Sequence, residues 1–357
     1  MFSLKPDYDI CKKRYDAFWA CDVADRILVT GITFPVENPA PLPEKKYDAW
    51  KDKWLDIDFR VEQMAIQMHN CVYYADTMPI AFPNMGPEIF SAWCGCPYNF
   101  GEVTTWSEPC IEDWEKDYDK AVLNMEHPLF KLLEDFTYKL LEAGKGHFIT
   151  GLTDFHPGGD HLAALRDPAN LAVDLVENPE WVKRKLKDSQ KEYFKVYDHF
   201  YNILKSYDIP ITTWTPLIAD KKYYVPSNDF SCMISEKMFQ EFFLEGIIEE
   251  CRFYDKSIYH LDGPGALRHL DSILSIKELN AVQWVPGAGR ESFEKWIHVY
   301  RKIQAAGKAI QIMGFNLSDL DLLFENLKPE GVWLSGIGGV RTMEEADYAL
   351  KRISDWK

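Results

Sequence analysis

Short apolar runs rich in β-branched residues alternate along the chain with longer segments in which apolar residues recur at helical spacing. This alternation is typical of repeated βα units built around a parallel sheet. We count eight such runs, at residues 26–34, 76–83, 147–153, 209–214, 257–261, 280–285, 309–315 and 331–335. Eight strands joined by helical crossovers favour a closed (β/α)8 TIM barrel over an open sheet.

Helix signals lie between these runs. Asn178 and Pro179 precede an amphipathic stretch at 180–204, and proline is favoured in the first turn of a helix. Thr342, followed by two glutamates, predicts a capped helix start for 342–353. Residues 1–25 predict a helical extension before the first strand. Because no linker, repeat or low-complexity tract interrupts the chain, we expect one domain over 1–357.

Composition narrows the class of protein. The chain has 357 residues, 46% of them hydrophobic, and a formal net charge of −16, which disfavours nucleic acid as a partner. No stretch reaches the roughly 18 apolar residues of a membrane span, and the first residues do not have the pattern of a signal peptide. Eight cysteines in 357 residues are typical of reduced thiols, so we expect a cytoplasmic protein.

Five segments of the chain, from residue 165 onward, carry recognisable motifs: residues 165–180 (LRDPANLAVDLVENPE), 229–239 (DFSCMISEKMF), 260–271 (HLDGPGALRHLD), 283–289 (QWVPGAG) and 339–345 (GVRTMEE). Together they resemble the uroporphyrinogen decarboxylase superfamily, on its corrinoid-dependent methyltransferase-like branch. The resemblance covers about two-thirds of the chain, from roughly residue 145 onward. It implies a TIM barrel with long loops at the carboxyl end, a homodimer, and a corrinoid carried on a partner protein.

The chain departs from both chemistries of that family. Uroporphyrinogen decarboxylases have an arginine-rich loop after the first strand, whereas residues 31–38 (GITFPVEN) contain no arginine to bind a polycarboxylate. The corrinoid-linked methyltransferases bind zinc through a His-x-Cys pair and a later cysteine. Here the pair is His260 and Asp262, and residues 335–339 (SGIGG) contain no cysteine. A zinc–thiolate site of the usual composition is therefore absent, although a different divalent metal site is possible.

Four residues are candidates for catalysis. His260 and Asp262 are two positions apart at the end of a strand, so both side chains point the same way, as metal ligands or as an acid/base pair. Asp154 and His156 lie in a dense segment, TDFHPGGDH at 153–161, which suits metal binding or proton transfer. The alternative interpretations are residues that cap the following loop in the first case and a rigid Gly-Pro turn in the second. Asp160 and His161 are also consistent with the start of the next helix.

Four further residues are candidates for substrate binding. Trp214 and Trp284 end predicted strands and could form aromatic pocket walls. Asp76 could correspond to the aspartate that gathers pyrrole N–H groups in the resembled family. Asn84, at the end of the second run, is either a hydrogen-bond donor to the substrate or a turn residue.

Three functions remain open from the sequence. The first is a methyltransferase or demethylase that acts on a small methylated substrate with a corrinoid protein, with His260 and Asp262 binding a metal or moving a proton. The second is a cofactor-independent decarboxylase of a small carboxylic acid, in which Asp76, Asp154 or His260 stabilises a protonated intermediate. The third is a binding barrel without catalysis. A metal near His260 favours the first, a cationic pocket the second, and a blocked or apolar mouth the third.

Overall fold

The computed structural model describes residues 2–287, 289 and 292–356. Within these residues the chain forms twelve short strands. They are β1 Leu28–Thr30, β2 Thr33–Pro35, β3 Cys71–Tyr73, β4 Ile80–Ala81, β5 Tyr98–Phe100, β6 Thr105–Ser107, β7 Ile149–Thr150, β8 Tyr223–Tyr224, β9 Lys256–Asp262, β10 Ala281–Val285, β11 Ala309–Ile312 and β12 Val332–Ser335.

Fifteen α-helices lie in the same described residues. They are α1 Tyr8–Trp19, α2 Trp50–Leu55, α3 Ile57–His69, α4 Ile89–Trp93, α5 Trp114–Asp117, α6 Pro128–Gly144, α7 Gly158–Arg166, α8 Pro168–Glu177, α9 Pro179–Lys205, α10 Glu236–Met238, α11 Leu244–Phe253, α12 Leu270–Leu274, α13 Phe293–Ala305, α14 Leu320–Asn326 and α15 Met343–Ser354. Short 3-10 turns span Asp229–Met233, Ala266–His269 and Leu317–Asp319, and a π-helical turn, Phe239–Phe243, joins α10 to α11. No helix in the described part of the chain is long and apolar enough to cross a membrane.

A six-stranded parallel sheet forms the centre of the fold. Its order is β1-β12-β11-β10-β9-β8, so the first strand of the chain pairs with the last. In the register of β9 and β10, His260 pairs with Gln283 and Asp262 with Val285. This confirms the α/β class with parallel strands joined by helical crossovers.

The strands β4 and β7 pair with each other outside this sheet, again in parallel. Backbone hydrogen bonds extend the pair at both sides: Asp76 N–H donates to the Val29 carbonyl at 2.9 Å, and Leu152 N–H donates to the Thr212 carbonyl at 2.8 Å. The pair therefore lies between β1 and the segment around Thr212. The remaining strands form two small antiparallel pairs, β2 with β3 and β5 with β6.

One predicted strand is wrong. Residues 209–214 form only an isolated antiparallel bridge between Ile211 and Ala219, and β8, at Tyr223–Tyr224, takes the place beside β9. Prolines at 210 and 216 lack the N–H group that a strand within a sheet donates. The two tyrosines follow two lysines, and this short mixed run gave no strand signal in the sequence. The other seven predicted runs each contain a strand of the structure.

The N-terminal helix packs on the main sheet. Tyr15, Phe18 and Trp19 of α1 are buried, and the indole N–H of Trp19 donates to the Ile218 carbonyl at 2.9 Å. Thr342 and Glu345 form the predicted capping box of α15 at the opposite end of the chain. A single hydrophobic cluster extends from Phe2 to Trp356, so both chain ends contribute to the same core.

Candidate active site

An open cleft of about 600 Å³ lies at the carboxyl ends of β7 and β9. Its wall comes from the loop after β7, the first turns of α7, the segment between β8 and α10, and the β5–β6 region. Among the candidates from sequence, Asp154, His156, Trp214 and His260 line this cleft. Residues far apart in sequence thus meet at the edge where α/β folds carry their active sites.

His260 is held by a chain of amides across the sheet. The side-chain amide nitrogen of Gln283 donates to Oε1 of Gln311 at 2.7 Å, which turns the oxygen of Gln283 toward His260. Nδ1–H of His260 donates to that oxygen. Since Nδ1 then carries the proton, the lone pair of the neutral ring is on Nε2, the nitrogen that lies nearer Asp229.

Asp229 lies close to His260 and Asp262, the two candidates at the end of β9. Its Oδ1 lies 3.9 Å from Nε2 of His260, and ligand atoms of Asp229, His260 and Asp262 all lie within 4.8 Å of one another. Although 55% of the Asp229 side chain is exposed to the open cleft, loss of water around the carboxylate raises its pKa to about 6, and nearby Asp160 adds to the rise. Three converging donors of this kind can hold a divalent cation.

A second polar chain runs along the other side of the cleft. Nε2 of His156 lies 2.7 Å from Oδ1 of Asp154, and its Nδ1 lies 3.3 Å from the Ser227 hydroxyl. That hydroxyl donates to Asp160 at 3.1 Å, and Asp160 also accepts the backbone N–H of Phe230 at 2.8 Å. Burial opposes protonation of His156, but the charges of Asp154, Asp160 and Asp229 outweigh it and raise its pKa to about 9. The imidazole is therefore cationic at neutral pH.

Trp214 stands between the two histidines. Its ring centroid lies 5.4 Å from that of His260 and 6.3 Å from that of His156, edge to face in both cases. The structure thus brings His156 and His260 into one site, with an aromatic wall between them.

The cleft is strongly acidic. Its lining contains five carboxylates, Glu88, Asp154, Asp160, Asp167 and Asp229, and no lysine or arginine among the residues that the structure describes. Protonated His156 is the counter-charge. Because no guanidinium or ammonium of the described chain faces the cavity, this lining is poorly suited to a carboxylate substrate.

Asp76 does not lie in this cleft. It is fully buried and bound by two arginines, at 2.8 Å to Arg14 and 2.5 Å to Arg26, and it also accepts the backbone N–H of Val29 at 3.0 Å. All of its acceptor capacity is used by the protein, so the expected role in substrate binding is replaced by a structural ion pair. The sequence around Asp76 could not show that Arg14 and Arg26, 62 and 50 residues away, bind it.

Asn84 and Trp284 also lie away from the cleft. Oδ1 of Asn84 accepts the backbone N–H of Gly86 at 2.8 Å, which is the turn that the alternative interpretation predicted. Trp284 is fully buried and packs on Trp296 of α13, with ring centroids 5.0 Å apart. Successive residues of a strand face opposite sides, so Gln283 faces His260 and Trp284 must face the helix layer.

Three residues in the cleft or directly behind it were not selected from the sequence. Asp229 lies in the quoted segment 229–239, and strand parity could have identified Gln283 as a neighbour of His260. His161 lies in the first turns of α7, as expected, but it also lines the cleft, where Nδ1 is 2.9 Å from the Ser91 hydroxyl. Burial lowers the pKa of His161 to about 3, so this ring is neutral.

Among the comparisons with known proteins, the one with solved structures found a similar fold. No protein-family profile matches the sequence, and no curated protein sequence matches it. Among solved structures, the fold is similar to that of a methyltransferase from Methanosarcina mazei, with a TM-score of 0.58 and 9% sequence identity over 99% of both chains. At this identity the similarity shows a shared architecture along the whole chain.

Proposed function

We propose that this protein is a metal-dependent methyltransferase that removes a methyl group from a small donor and passes it to a corrinoid held by a partner protein. The observation that carries the proposal is the convergence of ligand atoms of Asp229, His260 and Asp262 at the cleft that is also lined by the His156–Asp154 pair. The resemblance of the chain, from roughly residue 145 onward, to the uroporphyrinogen decarboxylase superfamily and the fold shared with a methyltransferase support it.

We further propose that the strands close into a barrel. β4 and β7 lie between β1 and the segment around Thr212, and β8 lies at the other edge of the main sheet. Tyr224 supports closure between these edges, because its hydroxyl donates to the Thr153 carbonyl at 2.6 Å. A closed barrel would gather every strand end around the same cleft.

The three donors fit a divalent metal ion. One imidazole nitrogen and two carboxylates suit a transition metal such as Zn²⁺ or Mn²⁺, and Gln283 supplies the outer hydrogen bond that fixes a ligating histidine. When bound, the ion would supply Lewis-acid activation of the heteroatom that carries the methyl group. The two carboxylates would neutralise its two positive charges.

His156 would protonate the leaving group. When the methyl–heteroatom bond breaks, the electron pair stays on the heteroatom, which then needs a proton. His156 is protonated at neutral pH and faces the cleft. While Asp154 holds Nε2, the Nδ1–H, whose contact with Ser227 is the longer at 3.3 Å, would turn to the leaving group and donate that proton. Trp214 would hold the donor between the two histidines and exclude water from it.

The charge of the cleft favours this proposal over decarboxylation. A decarboxylase of a small acid needs a cation to bind its substrate, whereas the described lining has five carboxylates and no lysine or arginine. A binding barrel without catalysis would not need a cationic histidine beside three converging metal donors.

Metal analysis of purified variants tests the proposal. We expect about one divalent ion per wild-type chain, loss of that ion in His260→Ala, and retention in His156→Ala, a control from the same cleft that lies outside the three donors. With the ion retained, His156→Ala should slow methylation of a reduced corrinoid, across a panel of methylated donors, by about 10²–10⁴-fold. No metal in the wild-type protein, or equal metal in both variants, would refute the site.

A further inference from the structure

We infer that a second cavity, beside the cleft and lined in part by the first turn of α7, binds a small carboxylate with an apolar body. This cavity of about 270 Å³ lies between α7, α9 and the π-helical turn that leads into α11. Only Ser227 is shared by the described linings of the two cavities. The inference goes beyond the proposed function and needs neither the metal nor the methyl transfer.

The N-terminus of α7 opens into this cavity. Pro157 occupies the N-cap, and within the described chain no side chain caps the first turn. Gly158 and Gly159 both line the cavity, and a Cβ built on Gly158 would have no described atom within 4 Å. Uncapped N–H groups at a helix start attract an anion through both hydrogen bonding and the helix dipole.

Asn228 is an independent sign of a missing ligand. It is 3% exposed, lines the cavity, and neither its amide oxygen nor its amide nitrogen has a hydrogen-bond partner among the described residues. A buried amide left in this state costs stability until something pairs with it. Its oxygen lies directly against the first turn of α7, because a Cβ on Gly159 would be 2.3 Å from it. The amide nitrogen can donate to a carboxylate beside the α7 amides.

Glu250, from α11, is a further buried polar group in the lining of this cavity. It is 2% exposed, and its Oε2 has no hydrogen-bond partner in the described structure. Burial raises the pKa of Glu250 to about 8, so the side chain is neutral at pH 7 and can act as a donor. A neutral acid tolerates an anion nearby, whereas an ionised one would repel it.

The remaining lining residues indicate the polarity and the charge of a ligand that would fit this cavity. Apolar side chains form much of the lining: Leu186, Phe242, Phe243 and Ile247. Two lysines and two glutamates, Lys183, Lys187, Glu245 and Glu249, complete the charged lining. Equal numbers of opposite charges give no excess positive field, which fits a monoanionic carboxylate better than a phosphate dianion.

Calorimetric titration with benzoate tests the inference, with benzamide and inorganic phosphate as matched probes. We expect benzoate to bind the wild-type protein more tightly than either of the other two. Asn228→Asp keeps the shape of the side chain but places a negative charge against the ligand, so it should weaken benzoate binding about tenfold or more. Asn124→Asp, at an exposed position that lines neither cavity, should leave binding unchanged.

A second variant guards against a folding artefact. Lys187 is exposed, so Lys187→Glu should fold normally and still weaken benzoate binding severalfold through charge at the cavity. Equal binding of benzoate and benzamide, a preference for phosphate, no binding of benzoate at all, or full affinity in both variants would each overturn the inference. Metal content is measured in the same samples, so failure here is distinguishable from failure of the proposed function.

Discussion

At the scale of single residues, the orientation of His260 depends on Gln283, a neighbour that does not itself line the cleft. Gln283 accepts from Nδ1 of His260 and is itself oriented by Gln311. Gln283 is 4% exposed, so water cannot easily replace this hydrogen bond. Such an outer partner determines which ring nitrogen is free to bind a metal.

Gln283→Met should therefore weaken metal binding without removing a ligand. The thioether has similar bulk but is a poor acceptor, so His260 loses its fixed tautomer and we expect about 10–100-fold lower affinity. Competition with a chromophoric chelator measures the affinity. Gln304→Met, near the end of α13, is the control, since the Gln304 side chain binds backbone groups of Lys328 and Glu330 and does not line the described cleft. Unchanged affinity in the Gln283 variant would remove Gln283 from the site.

Glu250 makes stability depend on pH. Its pKa is raised from 4.5 to about 8 by burial, so between these values the folded protein holds a proton that the unfolded chain has lost. The contribution of Glu250 to stability is therefore full below about pH 4.5 and falls as the pH rises toward 8. In Glu250→Gln this fall should disappear. Urea unfolding at pH 5.5 and 8 measures it, and an equal pH dependence in both proteins would contradict the assignment.

At the scale of elements, strand parity separates the site from the core. In β9 the buried Tyr259 and Leu261 alternate with the partly exposed His260 and Asp262. The same parity in β10 places Gln283 beside His260 and turns Trp284 toward the helices. A one-residue shift in either strand would exchange core and site residues.

The two tryptophans proposed as pocket walls should thus behave oppositely. Trp284→Ala empties a fully buried site and should cost about 3–5 kcal/mol of unfolding free energy while leaving metal content unchanged. Trp214→Ala, at the partly exposed cleft wall, should cost less stability and reduce turnover more. Chemical unfolding and activity assays of both variants compare these effects. A larger activity loss in the Trp284 variant would contradict the placement.

At the scale of the whole molecule, the ion pairs around Asp76 link the N-terminal helix to the segment that enters the main sheet. Arg14 comes from α1 and Arg26 precedes β1, and β1 pairs with β12, the last strand. Asp76 therefore connects the N-terminal helix with the main sheet through its two ion pairs. Removing its charge would leave Arg26, which is 7% exposed, without its partner.

Asp76→Asn should destabilise the protein by about 3–5 kcal/mol, because a buried charge is left uncompensated. Asp25→Asn, which weakens a pair to the same Arg14 from a position 64% exposed, should cost no more than about 1 kcal/mol. Denaturant unfolding measures both. If the two substitutions cost the same, the buried ion pairs do not hold the N-terminal helix to the main sheet.

The sequence determined the features that arise from local pattern. Hydrophobic periodicity predicted seven of the strand runs and the α/β class, and a threonine with a following glutamate predicted the capped start of α15. Spacing of two in a strand predicted that His260 and Asp262 share a face. These follow from backbone geometry, which neighbouring residues determine by themselves.

Only the tertiary structure decided which polar residues meet. Asp76, Asp154 and Asp229 are all aspartates near strand ends, yet one is neutralised by arginines, one orients a histidine and one joins the metal donors. Their roles depend on side chains 50 residues away in the first case, two in the second and about 30 in the third. Charge, desolvation and hydrogen bonding act through space, so residue type and local spacing could not distinguish these three carboxylates.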